Sequence, residues 1–425
     1  MIEELYKVYK ASSSVQTDTR KLKAGEMFFA LKGPNFNGNE YAQQAIDKGA
    51  SCAVIDEAAF EIPHKTILVE DVMTTLQQLA HYHRKQFYMP VIAITGSNGK
   101  TTTKELIHKV LSTSYQVYTT EGNLNNHIGV PLTILKIKPD AEIAVIEMGA
   151  NHPGEIAAYC KIADPTHGII TNCGKAHLEG FGSLEGVKKA KGELYDYLRE
   201  KEDRTAFVMW DYDYLRKMSE GIAMITTYGT SNTKVCGKVK ELDPFLQVAC
   251  CNRGDQACIK TQLVGAYNLP NVLAALAVGF EMKISFQKIR RAIEQYKPDN
   301  SRSQMVDVES NKIILDAYNA NPGSMKAAIE NFAAMKADKK ILILGEMAEM
   351  GGETKAEHKA LVSLVQQYPW EEVVLVGKAF EPFRELYRYF KNVSDARVWF
   401  QEQNFENTFF LIKGSRSAAM EKILE

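Results

Sequence analysis

The run Val91-Ile92-Ala93-Ile94-Thr95-Gly96-Ser97-Asn98-Gly99-Lys100-Thr101-Thr102-Thr103-Lys104 decides the fold. Its first five residues read as a buried strand, the glycine-bounded segment as a turn, and the threonines as the start of a helix. That order aims several backbone N–H groups and Lys100 at one spot, where a helix N-terminus adds partial positive charge. The ligand suited to such a spot is a polyphosphate, with Lys100 on the terminal phosphates and the Thr101 hydroxyl on Mg²⁺. The nucleotide-binding candidates are Thr95, Gly96, Ser97, Asn98, Gly99, Lys100, Thr101 and Thr102. Ile94 stands where G-x-x-x-x-G-K-[ST] has its first glycine, so the general P-loop match is incomplete. The plainer alternative is a glycine turn with a surface lysine.

Working outward, the 425-residue chain has room for about three domains. Hydrophobic residues make up 45%, enough for real cores. Lys plus Arg number 51 against 52 Asp plus Glu, so no basic excess exists to drive nucleic-acid binding. Met1-Ile-Glu-Glu-Leu-Tyr-Lys7 is no signal peptide, and no apolar run approaches the ~20 residues of a membrane span. Seven scattered cysteines, an odd count without C-x-x-C, argue against a disulfide framework or zinc ribbon. A cytoplasmic, monomeric enzyme with reduced thiols is expected.

The fold class is α/β in three domains. Residues 1–88 mix short strands (Glu26 to Leu31, Ser51 to Ile55) with a helix at Tyr41 to Lys48 closed by Gly49. Residues 89–298 alternate helices with short apolar runs at Ile143 to Ile146, Gly168 to Thr171 and Ala206 to Met209, which suits a P-loop ATPase-type parallel sheet. Gln295 to Arg302 is polar and contains a proline, a linker composition. Residues 299–425 restart the alternation with strands at 313–315, 341–344, 373–376 and 409–412, a Rossmann-like unit.

Three residues stand out in the central segment. Glu147 ends an apolar strand, where ligands of open α/β sheets gather, and would hold Mg²⁺ beside the phosphates; the alternative is a solvated strand-end carboxylate. His177 lies in the loop after the strand at 168–171; a metal contact and an ordinary polar loop residue are both open. Lys191 falls on the apolar stripe Leu184, Val187, Leu194, Leu198 of one helix. There it must be paired, altered or snorkelling.

The segment 94–105 resembles the nucleotide loop of the Mur ligases and the folylpolyglutamate synthetases, in which the first P-loop glycine is replaced and an asparagine precedes Gly-Lys-Thr. The resemblance covers essentially the whole chain in order. It implies ATP as cosubstrate and two Mg²⁺ ions. The first ion is implied on Thr101 and Glu147, the second shared by His177 and a Lys191 carbamylated by CO₂ (the Ala190-Lys-Gly-Glu-Leu194 segment). It also implies that Asn268 and Asn271 lie near the adenine, Arg302 at the phosphates and Asp316 at the ribose. For the asparagines a helix cap or turn is an equally open reading.

Other motifs narrow the member. Thr17-Asp18-Thr19-Arg20 with Phe28 to Gly33, including Lys32, is similar to the family's uridine-nucleotide domain. Gly122 to Pro131, with Asn123, Asn125 and Asn126, resembles the loop that meets the muramoyl peptide; His127 departs from its usual residue. Tyr318 to Pro322, with Asn319 and Asn321, and Leu344 to Gly351, with Glu349, are similar to the member that adds D-alanyl-D-alanine to UDP-MurNAc-tripeptide. The Asp-Asn-Pro-Arg run of the diaminopimelate-adding member does not occur. The implied activity is an ATP-dependent amide ligase working through an acyl phosphate, with Lys100, Glu147, His177 and Lys191 as its catalytic set. Alternatives are another amino-acid-adding member, a folylpolyglutamate synthetase, or a P-loop regulator that binds nucleotide without catalysis. The first 88 residues count against the synthetase, which begins at its ATPase domain.

Overall fold

The computed structural model describes residues 1–252 and 255–425; the side chains of residues 251, 252, 255 and 256, Cys251 among them, lie outside the description. The segment Val91–Thr95 is a strand with every residue buried. It lies between Ile143–Glu147 and His167–Ile170, parallel to both. The chain leaves it toward one side of the sheet and returns on the other. A crevice therefore opens at its carboxyl end, where the Gly96–Gly99 turn delivers the helix Lys100–Leu111.

The central sheet has nine strands. Those at 117–119, 143–147, 91–95, 167–170, 205–209, 224–229 and 235–242 run parallel in that spatial order. Two antiparallel strands, Phe245–Asn252 and Asp255–Val264, then extend the sheet. The parallel sheet read in the sequence is present, and this antiparallel pair is an addition at its edge. The strand it pairs with, Val235–Leu242, is exposed from Lys238 to Glu241, so that strand carries no continuous apolar run to read in sequence.

The N-terminal sheet has four parallel strands in the order 15–16, 27–29, 52–55, 66–68. Its side chains divide by the period of two. Phe28, Ala30 and Ala53 pack under the helix Ala42–Asp47. Met27, Phe29 and Val54 join a core that runs without a break into the central domain, through the helix Val72–Arg84. The C-terminal sheet has six strands in the order 304–308, 311–316, 409–413, 340–345, 372–376, 388–390, antiparallel only at the first pair. Ile314, Leu342, Leu344 and Leu411 fill one face and Ile313, Ile341, Ile343 and Ile412 the other. The Gln295 to Arg302 linker joins this unit to the helix Phe286–Gln295.

One buried cation fixes the N-terminal unit on the central one. Arg84 donates from Nε to the Ala163 carbonyl (2.8 Å) and from Nη2 to the Asp164 carbonyl (3.1 Å), at the C-terminal end of the helix Glu155–Ala163. Such carbonyls lack intrahelical partners and carry partial negative charge. Arg84→Gln keeps part of the stem and loses the fork. It is expected to cost on the order of 2 kcal/mol, read as a lower midpoint of thermal unfolding; an unchanged midpoint contradicts this packing.

Candidate active site

The Gly96–Gly99 turn is clamped from the neighbouring strand end. The Asn172 carbonyl accepts from Ser97 N (2.9 Å), the Asn172 Oδ1 from Asn98 N (2.9 Å), and the Asn98 carbonyl from the Thr171 hydroxyl (2.6 Å). The N–H groups of Ser97 and Asn98 are thus used inside the protein. The first intrahelical bond runs from Thr103 N to Gly99 O, so the N–H groups of Lys100, Thr101 and Thr102 precede it and face a would-be anion. Gly99 sits at φ 80°, and a Cβ there would come within 2.6 Å of Asn271 Oδ1. That position requires glycine.

Glu147 is 1% exposed. Its Oε2 accepts from the Thr101 hydroxyl (2.9 Å) and its Oε1 from Asn125 Nδ2 (2.7 Å); its own N–H donates to the Thr120 hydroxyl (2.9 Å). A hydroxyl and a carboxylate facing each other at the mouth of a phosphate loop are hard oxygen donors, the set Mg²⁺ takes together with substrate phosphates. Among the described residues no cluster of three or more His, Cys, Asp or Glu side chains forms an all-protein cage. Lys100 Nζ donates to Gly96 O (2.7 Å) and Ser97 O (3.4 Å). Burial lowers its pKa, and the nearby Glu147 carboxylate opposes that.

Lys191 is 1% exposed on the stripe of Val187, Leu194 and Leu198. Its Nζ donates to the Ala150 carbonyl (3.2 Å) and lies 5.1 Å from the Phe181 ring. Burial first, and the charge of Lys100 second, bring its pKa down to about 7. Two positions away, the Glu193 carboxylate accepts from Gly154 N (2.6 Å) and Ala157 N (2.9 Å) at the start of the helix Glu155–Ala163. The helix Leu184–Arg199 therefore holds the 150–157 segment at two points.

The asparagines of the expected adenine segment form a relay. Asn268 Nδ2 donates to Val264 O (2.8 Å), Asn271 Nδ2 to Asn268 Oδ1 (2.8 Å), and the Thr103 hydroxyl to Asn271 Oδ1 (3.0 Å). Neither is a simple helix cap: Asn268 is the N-cap residue of Leu269–Glu281 but makes no side-chain capping bond. They tie that helix to the phosphate-loop helix.

These groups surround a cavity of about 800 Å³ between the central and C-terminal domains. It is lined by Ser97 through Thr102, Asn123, Asn125, Asn126, His127, Glu147, His177, Asn268, Asn271, Arg302, Asp316, Asn319 and Asn321. Across it Asn321 Nδ2 donates to Asn98 Oδ1 (2.7 Å), while Asn321 Oδ1 caps the helix Pro322–Ala334 through Ser324 N (2.9 Å). The cavity is thus faced by two helix N-termini from two domains.

Other candidates lie elsewhere. Thr95, the last residue of the strand, and Gly96, the first of the turn, are off the cavity wall; a Cβ on Gly96 would come within 2.0 Å of the Thr171 hydroxyl. Lys191 also stops short of the wall, behind Ala150, and so does Glu349. Glu349 meets His177 Nδ1 across the domain interface, and that contact holds its carboxyl below the usual range. A second interdomain pair, Lys175 Nζ to Glu357 Oε1 (2.7 Å), lies beside it. The uridine candidates are outside this cavity: Asp18 is forked by Arg20 (2.8 Å), Thr19 offers its carbonyl to Lys48 (2.8 Å), and Lys32 pairs with Asp56 (2.9 Å) and Glu57 (2.8 Å).

Sequence reading missed Asn172, Tyr267 and Lys413, all on the wall. The signal for Asn172 and Lys413 was available: each stands at the carboxyl end of a sheet strand, as Glu147 does.

Comparison with known proteins agrees with this geometry. Residues 12–85 match the model of the Mur ligase family catalytic domain, 94–279 the Mur ligase middle domain and 301–416 the Mur ligase glutamate ligase domain. The UDP-N-acetylmuramoyl-tripeptide–D-alanyl-D-alanine ligase of Bacillus subtilis is 34% identical over 97% of this chain and 92% of its own length. A crystal structure of MurF from Acinetobacter baumannii superposes with a TM-score of 0.89 at 28% identity, over 100% of this chain and 97% of that one. The MurF ligase of Thermotoga maritima in complex with ADP gives 0.86 at 26% identity, over 98% and 97%. A phosphate loop facing a buried strand-end carboxylate, three matched domains in order and full-length relatives together assign the chain: it belongs to the Mur ligase family.

Proposed function

We propose that this chain is the ATP-dependent ligase that joins D-alanyl-D-alanine to UDP-MurNAc-tripeptide in peptidoglycan precursor synthesis. The observation that carries the reading is the cavity between the phosphate loop and the Asn319 to Ser324 segment of the C-terminal domain. It is bounded by a nucleotide-type wall on one side and by amide groups suited to a dipeptide on the other. Full-length similarity to enzymes of that name supports the choice of member.

In this reading the terminal carboxylate of the tripeptide attacks the γ-phosphorus of ATP. The bond to the β,γ-bridging oxygen breaks, leaving ADP and an acyl phosphate. The dipeptide amine then attacks the acyl carbon, loses a proton, and phosphate departs. A carboxylate alone is a poor acylating agent, so phosphorylation comes first. Lys100, the first-turn N–H groups and Arg302 offset the charge crowding between carboxylate and triphosphate. Mg²⁺ on Thr101 and Glu147 would supply further charge neutralisation at the phosphates. Asn123, Asn125 and Asn126 bear the tripeptide, with Asn319 and Asn321 at the dipeptide. Glu349 reaches that side only by leaving His177. Asp18, Thr19, Arg20 and Lys32 belong to the uridine end. The protein works as a cytoplasmic monomer, where its nucleotide-linked substrate is made; among the described residues no helix is long and apolar enough to cross a membrane.

A second Mg²⁺ would need an anionic oxygen ligand near His177. Carbamylation of Lys191 supplies one, and the environment favours it. The side chain is buried on an apolar stripe, and burial brings its pKa down to about 7, which raises the share of the neutral amine, the form that adds CO₂.

Two measurements test these assignments. ADP release in the presence of ATP and UDP-MurNAc-tripeptide should require D-alanyl-D-alanine for sustained turnover; steady release independent of both substrates contradicts the ligase reading. Incubation with ¹³C-bicarbonate should give a carbamate carbon resonance that is absent in Lys191→Ala. The signal should grow as pH rises through about 7, because the folded-state amine loses its proton there. No such resonance in the wild-type protein removes the carbamate.

A further inference from the structure

Arg302 reaches the cavity from an unusual piece of backbone. Its two neighbours, Ser301 (φ 55°) and Ser303 (φ 50°), both occupy the left-handed region that serine rarely adopts. Such a conformation persists only where the surroundings fix it. Ser301 N donates to Gln304 Oε1 (3.2 Å), and Tyr318 N donates to Ser301 O (3.2 Å). Ser303 N donates to Asp316 Oδ1 (3.1 Å), and the Ser303 hydroxyl meets Tyr267 Oη (2.8 Å) from the central domain. Held in this way, the Arg302 guanidinium lies 3.5 Å from the centre of the Tyr318 ring, on the cavity wall.

Asp316 is the hub, and among the described residues its charged partner is Lys413. Lys413 Nζ donates to Asp316 Oδ2 (2.6 Å) and to Asn319 O (3.2 Å). Lys413 is 1% exposed at the end of the strand Phe409–Lys413, next to the strand Asn311–Asp316. A lysine so deeply placed must be compensated, and here one carboxylate and one carbonyl do it. The other carboxylate oxygen is thereby turned toward Ser303 N.

We propose that Lys413 is a positioning residue for the interdomain linker. It orients Asp316, Asp316 fixes Ser303, and Ser303 sets Arg302 against the nucleotide. The inference rests on the ligase reading for the role of Arg302, but the order of the linker is independent of it.

The test uses the full-length protein and the variants Lys413→Met, Lys413→Arg, Asp316→Asn and Lys413→Met/Asp316→Asn. Lys413→Met should raise the KM for ATP by about tenfold, and by more than it raises that for D-alanyl-D-alanine, whose side of the cavity Lys413 touches only through the Asn319 carbonyl. Lys413→Arg should recover part of the loss. The double variant should be no worse than Asp316→Asn, because the two residues act in series. Without substrates, trypsin should cut after Arg302 faster in Lys413→Met than in the wild type, with the fragments identified by mass spectrometry. Losses that multiply in the double variant, a shift in the dipeptide KM with ATP unaffected, or an unchanged rate of cleavage at Arg302 each overturn the proposal. If a single variant does not fold, the double variant, which buries no unpaired charge, decides against the wild type: a raised KM for ATP with faster cleavage at Arg302 supports the proposal, and neither change overturns it. A failed ligase assay accompanied by faster cleavage removes the catalytic reading and keeps the linker one.

Discussion

The structure depends on a carboxylate that is buried where only a cation or a hydrogen-bond donor makes it tolerable. Glu147 lies at the end of a fully buried strand and is satisfied by Thr101, from the helix that follows the phosphate loop, and by Asn125, from the adjacent loop. A buried ionised group without partners is costly, so the strand, the helix and the loop must meet at this point for the domain to fold. Lys104, one turn along the same helix, adds a charge 4.0 Å away and holds the Thr120 carbonyl at 2.8 Å. Folding therefore brings the nucleotide helix, the candidate metal ligand and the candidate muramoyl-peptide loop together at a single contact.

The other half of the cavity depends on docking rather than on one sheet. The N-terminal unit shares its core with the central domain, and a continuous apolar cluster makes that joint rigid. The C-terminal unit has its own two-faced core, which Val264 of the central domain joins, and the rest of its contact around the cavity is polar: Asn98 with Asn321, Lys175 with Glu357, and His177 with Glu349. Polar interfaces of this kind open and close more readily than apolar ones. An enzyme that must admit a nucleotide, a large uridine-linked substrate and a dipeptide, and then exclude water from an acyl phosphate, benefits from that division.

The sequence carried the local features well. The strand, turn and helix at 91–111 are specified by neighbouring residues, so their motif can be read directly. The stripe that buries Lys191 is a helical period visible within 15 residues. The strand Val235–Leu242 is hard to read in sequence because its exposed residues break the apolar pattern. Contacts made across the fold were also out of reach. Asn98 and Asn321 are 223 positions apart, and Lys413 and Asp316 are 97 apart. His177 and Glu349 had each been given a separate role, and only the folded chain brings them face to face. For Asn268 and Asn271 the sequence allows cap or ligand, and the structure adds a third use, a relay that ties two helices beneath the cavity.

Thr101 and Glu147 are the residues proposed to hold a metal that couples to the nucleotide phosphates. Calorimetric titration of ADP into the wild-type protein and into Glu147→Gln, each with and without Mg²⁺, tests that assignment most directly. Glutamine preserves the shape and the hydrogen bond from Thr101 but not the charge. The account predicts that Mg²⁺ strengthens ADP binding to the wild type and loses most of that effect in the variant, while metal-free binding changes little. An equal Mg²⁺ effect in both proteins would contradict it.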